Sequence, residues 1–336
     1  MTNSKRPFKI LSIDGGGIKG IFSSTILEVF ENTFQCKAYE HFDMLCGTST
    51  GGLIALALSV GKSASDISRI YENHGPDIFP QKWNRTFRQI FHGGKYTNKH
   101  LKTHLHSIFG DLKLEDSNNL LCIPAYNYTE AKPCVFKFDH REGRLHRDHK
   151  ISYVDVALAT SAAPTYFPIH EIVSVNKQYV DGGVWANNPS LVGIVDALCY
   201  FVGPDKPYDS IELLSIGSLE VASGKALHKR VNRSVLDWNI HALNPFMKGQ
   251  LHFSHNAIKL LSEHSDLKIK YTRVGTPELS SDQKKQVGMD KVNKKAIELM
   301  IGLGNSKAEE VYRDKEIEEF FRTKKTYNTQ NLKYGK

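Results

Sequence analysis

Ser49 lies at the centre of Gly47-Thr48-Ser49-Thr50-Gly51, a GxSxG spacing with glycine two residues to either side. A serine so framed can act as a nucleophile. At a sharp strand-to-helix turn, side chains at the flanking positions would crowd the bend, and glycine leaves the serine hydroxyl standing in an open site. The chemistry would be acyl transfer, with the serine oxygen attacking an ester carbonyl and water later clearing the acyl-enzyme. The same spacing also fits a glycine turn that merely caps a buried helix. An apolar run, Phe42 to Cys46, precedes this turn and another, Leu53 to Val60, follows it, which is the setting the nucleophile reading requires. A helix N-terminus beneath Ser49 would also stabilise developing negative charge.

An acyl hydrolase further needs donors for the oxyanion and a proton acceptor. Gly15, Gly16 and Gly17 sit in Asp14-Gly15-Gly16-Gly17-Ile18-Lys19-Gly20, where backbone N–H groups at a helix start can serve as donors. Gly15, Gly17 and Gly20 also satisfy the GxGxxG of a dinucleotide site. Against that reading, the second strand runs into the Ser49 turn instead of ending on a ribose-binding acid, and Asp14 would repel a pyrophosphate. For the proton acceptor, no histidine has a glycine-framed position. Asp181 does: it ends an apolar segment at Tyr179-Val180 and precedes Gly182 and Gly183. Partial burial there would raise its pKa and make it a better base. An isolated Asp-Gly-Gly would otherwise read as a hairpin turn.

Other sites are weaker. Gly61-Lys62-Ser63 has Leu56 where a P-loop needs glycine, and among His100, His104 and His106 a leucine, Leu101, stands where HExxH needs glutamate. No metal site is expected. The five cysteines show no CxxC spacing and are odd in number, which favours free thiols over disulfides or zinc.

The elements that must position these residues follow from local pattern. Phe8 to Ile13, Phe42 to Cys46, Leu120 to Ala125, Cys134 to Phe138, a segment ending at Val180, and Ile211 to Ile216 read as strands. Ile21 to Phe34 carries helical spacing, Ser63 with Asp66 marks a helix start towards Asn73, and Ser152 starts another running to Ala159. Strand–loop–helix units in succession imply a mainly parallel sheet covered by helices. Beyond about residue 222 the chain reads as helical, polar and basic, with an amphipathic stretch from Ala308 to Phe321.

With 336 residues, 40% of them hydrophobic, the chain can bury a large core. A net charge of +8 favours anionic partners, although it also serves plain solubility. The apolar segment after Lys5 and Arg6 is cut off by Asp14, so export is not expected, and Leu53 to Val60 is far short of the ~20 residues that span a bilayer.

The order of the glycine loop, the Ser49 turn and Asp181-Gly182-Gly183, with Ser161-Ala162-Ala163-Pro164 and Asn187-Asn188-Pro189 between and after, resembles the patatin-like phospholipase family. The resemblance covers residues 8 to about 202. It implies a three-layer α/β fold with a patatin-like domain at 8–202, and a final strand and helical extension at 203–336 on the same body. It implies a Ser49–Asp181 dyad, an oxyanion loop at Gly15 to Gly17, and motif glycines Gly20, Gly47, Gly51, Gly182 and Gly183. It also implies hydrolysis of phospholipid acyl esters without histidine or calcium, by a cytoplasmic protein that associates peripherally with the inner face of the membrane.

The closest-looking branch holds bacterial stand-alone patatins, some of them anti-phage effectors switched on by cyclic dinucleotides. A cyclic dinucleotide activator is therefore an expected ligand, a nucleic acid polymer is not, and oligomerisation stays open. Lysophospholipase, acyltransferase or thioesterase chemistry on the same dyad, or a relic site that binds a nucleotide, are the alternatives. Trp83, Phe87 and Phe91, interleaved with Lys82, Arg85, Arg88 and Lys95, would stripe a helix for an anionic membrane or for core packing. The lysines at 284, 285, 291, 294 and 295 read as a solvated helix face.

Overall fold

The computed structural model describes residues 6–80, 95–221 and 243–329. The aromatic stripe at Trp83, Phe87 and Phe91, with Lys82, Arg85 and Arg88, lies outside the described residues.

Eight strands form one sheet: β1 (Phe8–Ile13), β2 (Met44–Gly47), β3 (Leu120–Asn127), β4 (Lys132–Lys137), β5 (His170–Ile172), β6 (Lys177–Asp181), β7 (Ile211–Ile216) and β8 (Ile269–Val274). The order β3-β2-β1-β7-β8 is parallel throughout, while β4, β5 and β6 pair antiparallel beyond it. All positions of β1 and β2 are buried, so helices must cover both faces, as continuous apolar strands require.

The register of β3 decides where the chemistry can sit. On one edge β3 pairs with β4 from Cys122 to Asn127. The other edge is shared: β2 takes Leu120 to Cys122, and β6, arriving from the opposite direction, takes Ala125 to Asn127. The C-terminal ends of β2 and β6 therefore point at one another across a gap at Ile123 and Pro124. Ser49 follows the first end, and Asp181 is the second.

The helices are α1 (Gly20–Thr33), α2 (Thr50–Ser59), α3 (Ala64–Ile78), α4 (Lys99–Phe109), α5 (Tyr153–Thr160), α6 (Gly183–Ala186), α7 (Ser190–Tyr200), α8 (Leu243–Ser262), α9 (Ser281–Gln286), α10 (Lys294–Val311) and α11 (Lys315–Arg322). Ser63 and Asp66 close a capping box at the start of α3, which continues through Pro76 past the expected end, and Ser152 caps α5. None of the described helices is long and apolar enough to cross a membrane. All five cysteines are free thiols.

Two expectations for the C-terminal part need correction. β8 lies where the chain reads as helical. It is an edge strand whose middle residues, Lys270 to Arg273, are only half-buried, so it carries no alternating apolar signal. The stretch from Ala308 to Phe321 is two helices, not one, because Asp314 accepts a hydrogen bond from Glu316 N (3.0 Å) and starts α11 afresh. That helix turns Phe320 and Phe321 onto Phe30, Phe34 and Phe42. Burying each phenylalanine contributes about 2–3 kcal/mol, which fastens the end of the chain to the core. Of the five lysines at 284–295, all but the half-buried Lys284 are exposed, but they fall on α9, the segment after it and α10 and so do not form one helix face.

Candidate active site

Ser49 adopts φ 54° and ψ −123°, a strained conformation for a residue with a side chain. The flanking glycines are a steric necessity. A Cβ on Gly47 would stand 2.1 Å from the Gly51 carbonyl oxygen, and one on Gly51 would stand 2.2 Å from that of Ile13. The bend is also held by Thr160 at the end of α5, which spans the gap between the facing strand ends. Its hydroxyl accepts from Ser49 N (3.0 Å) and donates to Pro124 O (2.6 Å).

Asp181 closes β6, its N–H donating to Ala162 O (3.0 Å) within the Ser-Ala-Ala-Pro segment. Gly182 follows against Pro124, where a Cβ would come within 2.3 Å of the carbonyl oxygen. The carboxylate is buried. It accepts from Gly183 N (2.7 Å), and the Ser49 side chain lies beside it. Burial pushes its pKa up to about 6, and the Gly183 N–H and the neighbouring Ser49 side chain restrain the rise.

The glycine loop packs on the same turn, with a Cβ on Gly15 reaching 3.3 Å from Ser49 Cβ and one on Gly20 reaching 2.2 Å from Thr50 Cγ2. Gly15 does not fit the expected role of oxyanion donor, because its N–H is donated to Asn187 O (3.0 Å). Its contribution is room. Among the described residues, the N–H groups of Gly16 and Gly17 have no protein acceptor, and Gly17, at φ 62°, starts the turn into α1.

The profile of the Patatin-like phospholipase family matches residues 11–193, a span that contains the glycine loop, the Ser49 turn and Asp181. The chain belongs to the patatin-like phospholipase family. It is 35% identical over 236 residues to a protein of Vibrio cholerae named cGAMP-activated phospholipase, covering 64% of this chain and 65% of that one. A protein of the same name from Escherichia coli is 32% identical over 221 residues, covering 63% and 62%. The matched stretch thus spans slightly less than two thirds of these relatives. Of solved structures, VipD from Legionella pneumophila matches over 89% of this chain and 68% of its own, at 13% identity and a TM-score of 0.39.

In this patatin-like protein Ser49 opens onto an apolar cavity lined by Leu53, Tyr71, Ile78, Leu101, Phe167 and Met289. Among the described residues no histidine lines it. Met289 belongs to the C-terminal part, yet its carbonyl accepts from Ile18 N (2.9 Å) and so also anchors the glycine loop.

Asp14, fully buried, does not confront the loop as a bare anion. Arg273 on β8 places Nη2 2.6 Å from Asp14 Oδ2 while donating through Nη1 to Ser215 Oγ (2.7 Å). Asp14 would accordingly repel a pyrophosphate less than the sequence suggests, whereas β2 still ends in the Ser49 turn and not on a ribose-binding acid. Thr160, Arg273 and Met289 carry no local signal: they act through contacts made across 111, 259 and 271 positions of chain.

Proposed function

We propose that this protein hydrolyses fatty-acyl esters of membrane phospholipids, with Ser49 as nucleophile and Asp181 as its base. The observation that carries the reading is the Ser49 side chain set beside the buried Asp181 carboxylate, whose pKa burial pushes up to about 6, at the mouth of an apolar cavity that suits an acyl chain. In the first step Ser49 Oγ attacks the ester carbonyl while Asp181 takes its proton. The N–H groups of Gly16 and Gly17 receive the negative charge on the carbonyl oxygen. Asp181 then returns the proton to the leaving alcohol, and water, deprotonated by the same carboxylate, releases the fatty acid.

The working division is a hydrolase domain at 8–202 and an extension at 203–336. The names of the relatives from Vibrio cholerae and Escherichia coli support activation by a cyclic dinucleotide; a defence role exercised at the inner face of the cell membrane is proposed alongside it. The test is fatty-acid release from mixed phospholipid vesicles by wild type and Ser49→Ala, each with and without cGAMP. Release that requires Ser49 is expected, and its dependence on cGAMP decides the activation. Equal release by Ser49→Ala would overturn the reading.

A further inference from the structure

The histidines at 100, 104 and 106 lack the glutamate of HExxH along the chain, but the fold sets His104 of α4 against two residues of α3. His74 Nδ1 lies 3.7 Å from Asp77 Oδ2, and His104 Nε2 lies 4.0 Å from the same oxygen. The three ligand atoms all lie within 4.8 Å of one another, and the two imidazole rings stack with centroids 4.0 Å apart. Around tetrahedral zinc, ligand atoms at ~2.0–2.2 Å from the ion stand about 3.3–3.6 Å from each other. The three side chains therefore need to close by only a few tenths of an ångström to more than one ångström. His74 and Asp77 are exposed enough to rotate freely, at 41% and 58%, while His104, at 19%, is the fixed member.

Each imidazole can offer a ring nitrogen to a metal ion. Two histidines and one carboxylate also make a ligand set suited to zinc-class ions and poorly suited to magnesium.

We propose that His74, Asp77 and His104 form a three-ligand site for a divalent transition-metal ion of the zinc class, which fastens α3 to α4. The site stands apart from the chemistry at Ser49. Its position still bears on that chemistry, because Ile78 of α3 and Leu101 of α4 line the apolar cavity, so an ion joining the helices would fix the spacing of that wall.

The test uses the untagged full-length chain with cobalt(II) as a spectroscopic probe and zinc as competitor. We expect one equivalent of cobalt to give the visible d–d band of a four-coordinate site, zinc to abolish it, and magnesium to leave it unchanged. In His104→Gln and Asp77→Asn the affinity should fall tenfold or more. Zinc should raise the thermal midpoint of wild type and of neither variant, with unchanged circular dichroism showing that both remain folded. No band with wild type at micromolar cobalt, or a band equally strong in both variants, would overturn the proposal.

Discussion

Arg273 on the last strand of the sheet grips Asp14 at the start of the glycine loop with both terminal guanidinium nitrogens, Nη2–Oδ2 at 2.6 Å and Nη1–Oδ1 at 3.4 Å. The carboxylate is fully buried, so removing its partner strands a charge in a medium that cannot solvate it. Arg273→Met is expected to lose about 3–5 kcal/mol of stability in chemical denaturation. Asp14→Asn/Arg273→Met should recover part of that loss, because no lone charge remains. A double variant no more stable than the single one would mean that the arginine matters by packing, not by charge.

Thr160 yields a sharper pair of variants. Thr160→Val keeps the shape but removes both hydrogen bonds, leaving the buried Ser49 N–H and Pro124 carbonyl unpaired at about 1–3 kcal/mol each. Thr160→Ser retains the hydroxyl. We expect a fall of at least tenfold in kcat for the valine variant, with near-normal kcat for serine. Equal activity of the two would show that the bridge does not hold the strained turn.

The raised pKa of Asp181 has consequences of opposite sign for rate and stability. The base must be ionised, so kcat/KM should climb about tenfold per pH unit below 6 and level off above it. For stability, the folded protein holds this proton more tightly than the unfolded chain, whose value is near 3.8. The carboxylate therefore destabilises the fold fully above about pH 6, by about 3 kcal/mol at most, and not at all below about 3.8. Asp181→Asn should be inactive yet raise the thermal midpoint at pH 7.5, an advantage that shrinks as the pH falls through 6. A lower midpoint at pH 7.5 would contradict the burial argument.

What the sequence made legible was local. Gly47, Gly51 and Gly182 declare themselves because each is forced by backbone within a few ångströms; the strand that leads into Ser49 is a continuous apolar run, and the one that leads into Asp181 shows at least its buried end, Tyr179 and Val180. What it concealed was tertiary. Nothing around Gly15 announces that Asn187 O takes its N–H, nor does the half-polar run from Ile269 to Val274 announce a strand that delivers Arg273 to Asp14. The pairing of His104 with His74 and Asp77 was hidden for the same reason, since a search along the chain cannot see two helices brought side by side.

The glycine positions allow a further check. Gly51→Ala places a methyl group 2.2 Å from a main-chain oxygen that cannot move without displacing β1. We expect loss of esterase activity together with a marked fall in stability, whereas Gly249→Ala, with open space around it on α8, should change neither. Normal activity in Gly51→Ala would mean the turn tolerates a wider bend than its geometry indicates.

Activation of Ser49 by Asp181 can be read from the rate at which a fluorophosphonate labels the protein in the presence of cGAMP, with the adduct mapped by mass spectrometry in wild type and Asp181→Asn. A single adduct on Ser49 is expected in wild type, forming at least a hundredfold more slowly in Asp181→Asn. An adduct elsewhere, or equal rates in the two proteins, would contradict it.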